Sequence, residues 1–425
     1  MIFSLDVRRA RKGDCMFLHF GTKKKPGLVL IDGGPGGVYG LHLKPRIEEI
    51  RQKRKLSKDE ALFIDLLMVS HVDDDHIEGI LDLSREMIER QEARKPPHVR
   101  FGGIWHNSFD EIIDNESHKI TSAVTESFGP AANSGELPPE ATVDAAEDED
   151  VIIANLKVLS SIPQGFRLRS DTKRLQIPPN VGFDGKLVMA KENGQPVGIG
   201  QDLTFTVVGP MAKELEALRK KHNEWLKKLE RDGMSAEGAL AAYMDKSVPN
   251  LSSIVVLATA GHKRMLLTGD ARGDKILQGL ELTGLLEKGG SLHVDLLKVP
   301  HHGSANNLDT DFFQRIIADH YVFSGNGEHG NPERAALEML LEARPSDEDY
   351  EIHLTYPIAE IDVERKKDWA KEQMKEKNKA KTTRPDWSPK KHSLAALFTA
   401  HPDFANKVRI VLADKAHVID LADPL

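Results

Sequence analysis

The residues that could do chemistry crowd into one short stretch, Met68 to Gly79, MVSHVDDDHIEG. His71, Asp73, Asp75 and His76 fall within six residues there. Ligating groups packed this tightly repel one another unless a cation sits among them. Imidazole and carboxylate together suit Zn, Mn or Fe(II). An apolar run, Ile64 to Val69, precedes the cluster and ends in Ser70. Short and bounded, it reads as a buried strand, which puts the cluster in the loop where the strand stops. From Ile77 onward the apolar spacing is helical, so Asp74 and Asp75 sit near a helix N-terminus, where negative charge is favoured. The competing reading is a solvated acidic turn with a helix cap. Against it stands the need of any buried charge for a partner.

A second region, Asn250 to Pro332, repeats the pattern of strands that end in polar residues. SIVVLATA and HKRMLLTGD read as a hairpin with Gly261-His262 in the turn, and the second strand ends in Thr268-Gly269-Asp270. DLLKVP ends in His301-His302-Gly303-Ser304, and YVFS ends in Ser324-Gly325-Asn326. Near the start, LVLI (28–31) ends in Asp32-Gly33-Gly34. Such repetition points to one site at one edge of a layered α/β fold. For His301 and His302 alone, a plain histidine pair in a turn is the competing reading. Ser304, Ser324 and Asn326 are candidate donors to phosphate oxygens, although Ser and Asn are also common in turns.

The remaining elements must position these groups. MIFSLDV and CMFLHF read as strands joined by RRARKGD; VRFGGIWHN (99–107), LTFTVVGP (203–210) and YEIHLTYP (350–357) read as further strands, and 408–421 as a closing hairpin. Residues 44–61, 109–127, 151–160 and 211–245 have helical composition. Residues 129–150 are small, Pro-containing and acidic, a loop or disordered segment far from any anion-binding groove. Residues 369–392 lean basic and carry Trp369 and Trp387. Basic residues with interleaved aromatics can hold single-stranded nucleic acid, against the plainer reading of a solvated helix and loop.

With 425 residues, 40% of them apolar and 29% charged, the chain can build a large core in one or two domains. A net charge of -8 argues against a protein that coats nucleic acid, while leaving room for a local basic groove. Cys15 is the only cysteine, which excludes an intrachain disulfide and suggests a reducing compartment. Met1 leads directly into a strand pattern without a signal peptide, and no apolar run approaches a membrane span. A cytoplasmic soluble protein is the expectation.

Three motifs then carry a resemblance. HxDxDHxxG at 71–79, LLTGD at 266–270 and LKVPHHGS at 297–304 resemble the metallo-β-lactamase superfamily, most of all the hydrolase domain of ComEC-type competence proteins and their free-standing relatives. LDV (5–7) with GD (13–14), LIDGG (30–34), NLSSIVV (250–256) and FSGN (323–326) occur in that family's order. The resemblance implies one domain over 1–425, with a family-type insertion at 108–248 and a polar, basic-leaning one at 358–406 before the final hairpin. It implies an αββα sandwich, two mixed β-sheets flanked by helices, with metals at one sheet edge. His71 and Asp73 would hold the first of two divalent ions, Zn or Mn, and Asp75 and His76 the second. Asp270 would bridge them and His301 would complete the second site. Asp75 and His302 would be catalytic, His302 by protonating the leaving oxygen. Asp73 stands where most of the superfamily has histidine, Gly209-Pro210 where another ligand histidine is expected, and His329-Gly330-Asn331-Pro332 where the ComEC-like branch has GHP. The implied activity is metal-dependent hydrolysis, as a phosphodiesterase or nuclease on DNA, RNA or a nucleotide. Hydrolysis of another ester or a lactone on the same fold, and a regulatory or scaffold protein with a degraded metal site, are the alternatives.

Overall fold

The computed structural model describes residues 1–107, 164–217, 220, 252–345, 347–378, 382–413 and 415–422. The helices expected at 109–127 and 151–160, the acidic segment 129–150 and most of 211–245 lie outside the described residues. The chain begins with β1 (Ile2–Val7), β2 (Met16–Gly21) and β3 (Pro26–Ile31), followed by a π-helical turn (Tyr39–Leu43) that runs into α1 (Lys44–Lys53). β4 (Leu62–Ile64), β5 (Leu66–Met68), α2 (Asp74–Glu92), β6 (Val99–Phe101) and β7 (Ile104–Trp105) follow. Next come β8 (Val197–Gly198), β9 (Thr204–Gly209), β10 (Val255–Ala260), β11 (Lys263–Leu267), α3 (Gly273–Leu282) and β12 (Leu292–Lys298). α4 (Thr310–Arg315), β13 (Ile316–Phe323), α5 (Arg334–Ala343), β14 (Glu351–Leu354), α6 (Ile358–Asn378) and α7 (Leu394–Ala400) lead to β15 (Val408–Ile410) and β16 (His417–Asp420).

Two large mixed sheets result, one in the order β16-β1-β2-β3-β5-β7 and one in the order β15-β14-β13-β12-β11-β10-β9-β8. Their strands are near-continuous apolar runs because both faces are covered. One face of each sheet meets the other sheet: Phe3, Leu5, Leu18 and Ile31 pack with Phe205, Val256, Met265 and Val322. The outer face of the first sheet, through Phe17 and Leu30, packs on Ile47 of α1 and Ile77 and Ile80 of α2. The outer face of the second, through Leu266, Leu297 and Tyr321, packs on Ile276, Phe312, Leu337 and Leu397 of α3, α4, α5 and α7. The layers therefore run helix, sheet, sheet, helix. Burying each such large apolar side chain contributes roughly 1.5–3 kcal/mol. Among the described residues no helix is long and apolar enough to cross a membrane.

Several elements differ from the sequence reading. The run Ile64–Val69 is not one strand: β4 pairs with β6 in a small separate sheet, whereas β5 joins the first large sheet. The break falls at Asp65, whose carboxylate accepts the Leu28 backbone N–H at 2.9 Å and so fixes a turn between the two. The stretch 99–107 likewise divides into β6 and β7. The stretch 408–421 is not a hairpin: β15 runs parallel to β14 in the second sheet, and β16 antiparallel to β1 in the first. The chain between them crosses from one sheet to the other. The β10–β11 hairpin and the β1–β2 pair form as expected. In the C-terminal basic segment, Trp369 stacks on His392 with ring centroids 4.1 Å apart, Trp387 meets Trp369 edge-on, and Arg384 and Arg365 lie over the two indoles. The protein's own side chains thus engage these rings.

β3 runs parallel to β5, and β11, β12 and β13 run parallel to one another. Their C-terminal ends point to the same edge, where open α/β sheets gather functional groups.

Candidate metal centre

The site is assembled from these strand ends and from the N-terminus of α2. Gly79, one turn into α2, lies directly against the Gly33 carbonyl, where any Cβ would collide with that oxygen. This contact brings Asp32, just past β3, to His76: Asp32 Oδ2 is 2.8 Å from His76 Nδ1. The Ser70 N–H and hydroxyl both donate to Asp32 at 2.7 Å, so the carboxylate is fixed. A proton held on Nδ1 leaves the lone pair of His76 Nε2 directed into the site. Gly13, in the β1–β2 loop, lies against the backbone carbonyl of Asp75. That places Asp14 beneath His76 and His302.

Asp270, after β11, is the centre of the group. Its Oδ1 is 3.3 Å from both His76 Nε2 and His302 Nε2. Its Oδ2 is 3.6 Å from His301 Nε2 and 4.0 Å from His71 Nε2. His71 Nε2 lies 3.4 Å from Asp73 Oδ2, and His302 Nε2 lies 4.0 Å from Asp75 Oδ2. One carboxylate therefore faces two sets of donors, one on each oxygen. His302 Nδ1 meets the Ser324 hydroxyl at 3.0 Å, which orients the ring as Asp32 orients His76. Below, Lys298 Nζ stands 2.5 Å from Asp14 Oδ2 and donates to the Gly269 carbonyl at 3.2 Å.

The backbone here adopts unfavourable geometry. Asp32, His301 and His302 have φ of 55°, 48° and 55°, in the left-handed region that side chains with a Cβ avoid. Such residues cost of order 1–3 kcal/mol each and persist where the surroundings enforce them, commonly at functional sites. Here the His301 N–H donates to Gly269 O at 3.1 Å, and Asn331 Nδ2 reaches the His301 carbonyl.

The donor atoms fit cations on two grounds. Among the described residues, His71 Nε2, Asp73 Oδ1, His76 Nε2, Asp270 Oδ1 and His302 Nε2 are buried without a hydrogen-bond partner. Buried polar atoms left unpaired are costly and rare. Charge is the second ground. Asp14, Asp32, Asp73, Asp75 and Asp270 converge here, and among the described residues Lys298 is the one permanent cation in ion contact with them. With neutral histidines four negative charges remain, which two divalent ions would balance. Without ions the field draws protons instead. Burial disfavours charge on His302, yet Asp270 and Asp14 outweigh it and push its pKa up to about 9. His76 is raised in the same way, against burial, by Asp270 and Asp32. Burial would raise Asp75 and Asp270, but the surrounding histidines hold both down, Asp75 at about 2. Asp14, fully buried, is kept far below the ordinary carboxylate range by Lys298 and His302. For His301 burial dominates, and its pKa falls.

The structure thus brings together His71, Asp73, Asp75, His76, Asp270, His301 and His302. The three expected phosphate donors are turned to other partners. Ser324 holds His302, the Ser304 hydroxyl lies 3.4 Å from Glu333 Oε1, and Asn326 Nδ2 donates to Glu328 Oε1 at 2.8 Å. Gly209 ends β9 next to Val255 and supplies no side chain to the group. The sequence reading gave Asp14, Ser70 and Lys298 no part in the site. A lysine inside the apolar run LLKVP was the available signal.

No family model matches the chain. A stretch of 66 residues, 15% of this chain and 2% of the other protein, is 47% identical to microtubule-associated protein 1A of Rattus norvegicus. Over 57 residues, 13% of this chain and 2% of the other, it is 46% identical to microtubule-associated protein 1A of Homo sapiens. A further 78-residue match, 18% of this chain and 1% of the other, is 40% identical to the microtubule-associated protein futsch of Drosophila melanogaster. The chain spans no more than about 2% of the length of these curated proteins.

Proposed function

We propose that the protein is a metal-dependent hydrolase with a metallo-β-lactamase-type fold, and that it cleaves phosphodiesters in nucleic acid or a nucleotide. The observation that carries this reading is the Asp270 carboxylate, with His76 and His302 at one oxygen and His71 and His301 at the other. Asp75, His76, His302 and Asp270 Oδ1 would hold one divalent ion, and His71, Asp73 and Asp270 Oδ2 the other. Two such ions, Zn or Mn, would supply a water activated for attack and neutralise charge on phosphoryl oxygens.

The chain's own groups divide the remaining work. Asp32 and Ser324 hold His76 and His302 with Nε2 inward. Lys298 and Asp14 keep the floor of the site charged and in place. His301, with about 27% of its side chain exposed against 3% for His302, is the ring that a substrate would meet. We therefore assign hydrogen-bond donation to the leaving oxygen, from a neutral ring, to His301, and ion binding to His302. This exchanges the parts that the resemblance gives to the two residues. The donor set is rich in carboxylate, which shifts preference towards Mn compared with an all-histidine set.

The test is incubation of the full chain with single- and double-stranded DNA, RNA and a generic phosphodiester, each with Mn or Zn, with Asp75→Ala as the control for contaminating nucleases. Metal-dependent cleavage that Asp75→Ala abolishes is the expected result. Hydrolysis of a lactone or thioester with no phosphodiester cleavage would replace the substrate class. No turnover of any of these with the ions bound would overturn the enzyme reading.

A further inference from the structure

We propose that the second sheet carries a separate binding site for one divalent cation of zinc type, held by His320 Nδ1, Glu351 Oε2 and His353 Nε2. β13 and β14 are parallel neighbours, with His320 opposite Glu351 in register. Side chains alternate along a strand, so Glu351 and His353 point to the same face as each other. The three donor atoms come together there. His320 Nδ1 is 3.1 Å from His353 Nε2 and 3.5 Å from Glu351 Oε2, and His353 Nε2 is 3.6 Å from Glu351 Oε2. Tetrahedral zinc, with bonds of about 2.0–2.2 Å to nitrogen and oxygen, separates neighbouring donors by roughly 3.3–3.6 Å. The three atoms outline one face of such a tetrahedron, and the partial exposure of His320 and Glu351 leaves a path from solvent and room for a water as fourth ligand.

The surroundings suit a ligand set. His353 Nδ1 lies 2.8 Å from His417 Nε2, so a proton on Nδ1 can be donated to His417 while Nε2 keeps its lone pair for the ion. Metal-bound histidines generally have such an outer partner. Arg409 Nη2 holds Glu351 Oε1 at 2.8 Å and leaves Oε2 as the single donor. The positive charge of Arg409 opposes a cation, whereas Glu351 and, at longer range, Asp319, Asp295 and Asp349 favour positive charge at His320. His417 belongs to β16 of the other sheet. An ion here would therefore brace the two sheets where their ends meet. His320 lies four residues before Ser324, ~13 Å along an extended strand, so this site shares no ligand with the centre around Asp270.

The test counts ions on the full chain after stripping with a chelator and reloading with Zn²⁺, by native mass spectrometry. Co²⁺, with its visible absorption, serves as the second probe. His320→Ala and Glu351→Ala should each bind one ion fewer than the parent, while Asp270→Ala keeps that ion. His417→Ala should weaken the site by about 10–100-fold, the cost of losing an outer partner. Zn²⁺ should raise the Tm of Asp270→Ala, and should no longer do so once Glu351→Ala is added. If His320→Ala does not fold, Glu351→Ala, changed at a partly exposed position, decides alone. Equal ion counts in the parent and in the folded variants would overturn the proposal and leave a hydrogen-bonded histidine pair only.

Discussion

The centre around Asp270 and the His320–Glu351–His353 group use the same kinds of donor on different supports. The first is built from loops at strand ends, with Asp32, His301 and His302 in left-handed backbone. Among the described residues, ring nitrogens of His71, His76 and His302 and carboxylate oxygens of Asp73 and Asp270 are buried there without a hydrogen-bond partner. The second is built on the strands themselves, in relaxed β geometry, with its ring nitrogens paired to one another and to His417. The first holds a large excess of negative charge against one lysine; in the second, Arg409 already shares the single carboxylate. An arrangement strained, unpaired and charged is suited to chemistry, because it is set up for charge that arrives from outside. An arrangement that is paired and relaxed is suited to holding two sheets together.

The sharpest way to break this comparison lies within the first centre, at the adjacent histidines. His302→Ala should release an ion and with it the turnover that depends on that ion. His301→Ala should lower turnover by about 10²–10³-fold with the ion count unchanged. Turnover measured alongside metal analysis separates the two, and loss of an ion from His301→Ala instead would return the residues to the opposite roles.

Lys298→Met probes the floor of the same site. Lys298 and Asp14 are both essentially fully buried. Removing one partner of a buried pair leaves an uncompensated charge and costs about 3–5 kcal/mol. Urea denaturation should show that loss, and adding Asp14→Asn should recover much of it. A Lys298→Met protein as stable as the parent would show that the pair is not what holds Asp14. Ser324→Ala removes the partner of His302 Nδ1 and should weaken ion binding by about 10–100-fold, measured by competition with a chromophoric chelator. An unchanged affinity would mean that Ser324 does not orient the ring.

A further effect is in pH. In ion-free protein Asp14, Asp75 and Asp270 titrate below their ordinary 3.8, so the stability they contribute is present above about pH 4 and is lost as pH falls. His302 titrates at about 9 against an ordinary 6.5, so its contribution is full below about pH 6.5 and is lost as pH rises through 9. The Tm of chelated protein should therefore decline as pH rises from about 6.5 to 9. A flat Tm from pH 6.5 to 9 would contradict the proton-for-ion exchange assigned to His302.

How much of this was legible depended on distance along the chain. His71 to His76, Asp270 and the His301-His302 pair each follow an apolar run directly, so a strand ending in a polar cluster could be read locally. Asp14 and Lys298 meet only in three dimensions, across 284 residues of sequence separation between the numbered positions. The crossing between β15 and β16 was hidden because LADKA looks the same whether the chain turns back or passes to another sheet. Asp65 resembled an ordinary strand residue until its carboxylate was seen to hold the Leu28 N–H. The His320 group was invisible for a similar reason: its geometry comes from the register of β13 on β14, which apolar spacing alone does not specify.

The central claim is that Asp270 joins two ions in one centre. Native mass spectrometry of the reloaded full chain and of Asp270→Ala tests it most directly. The account predicts that the variant loses two ions together and keeps the one assigned to His320, Glu351 and His353. A folded Asp270→Ala protein that retained the parent's full complement of ions would contradict it.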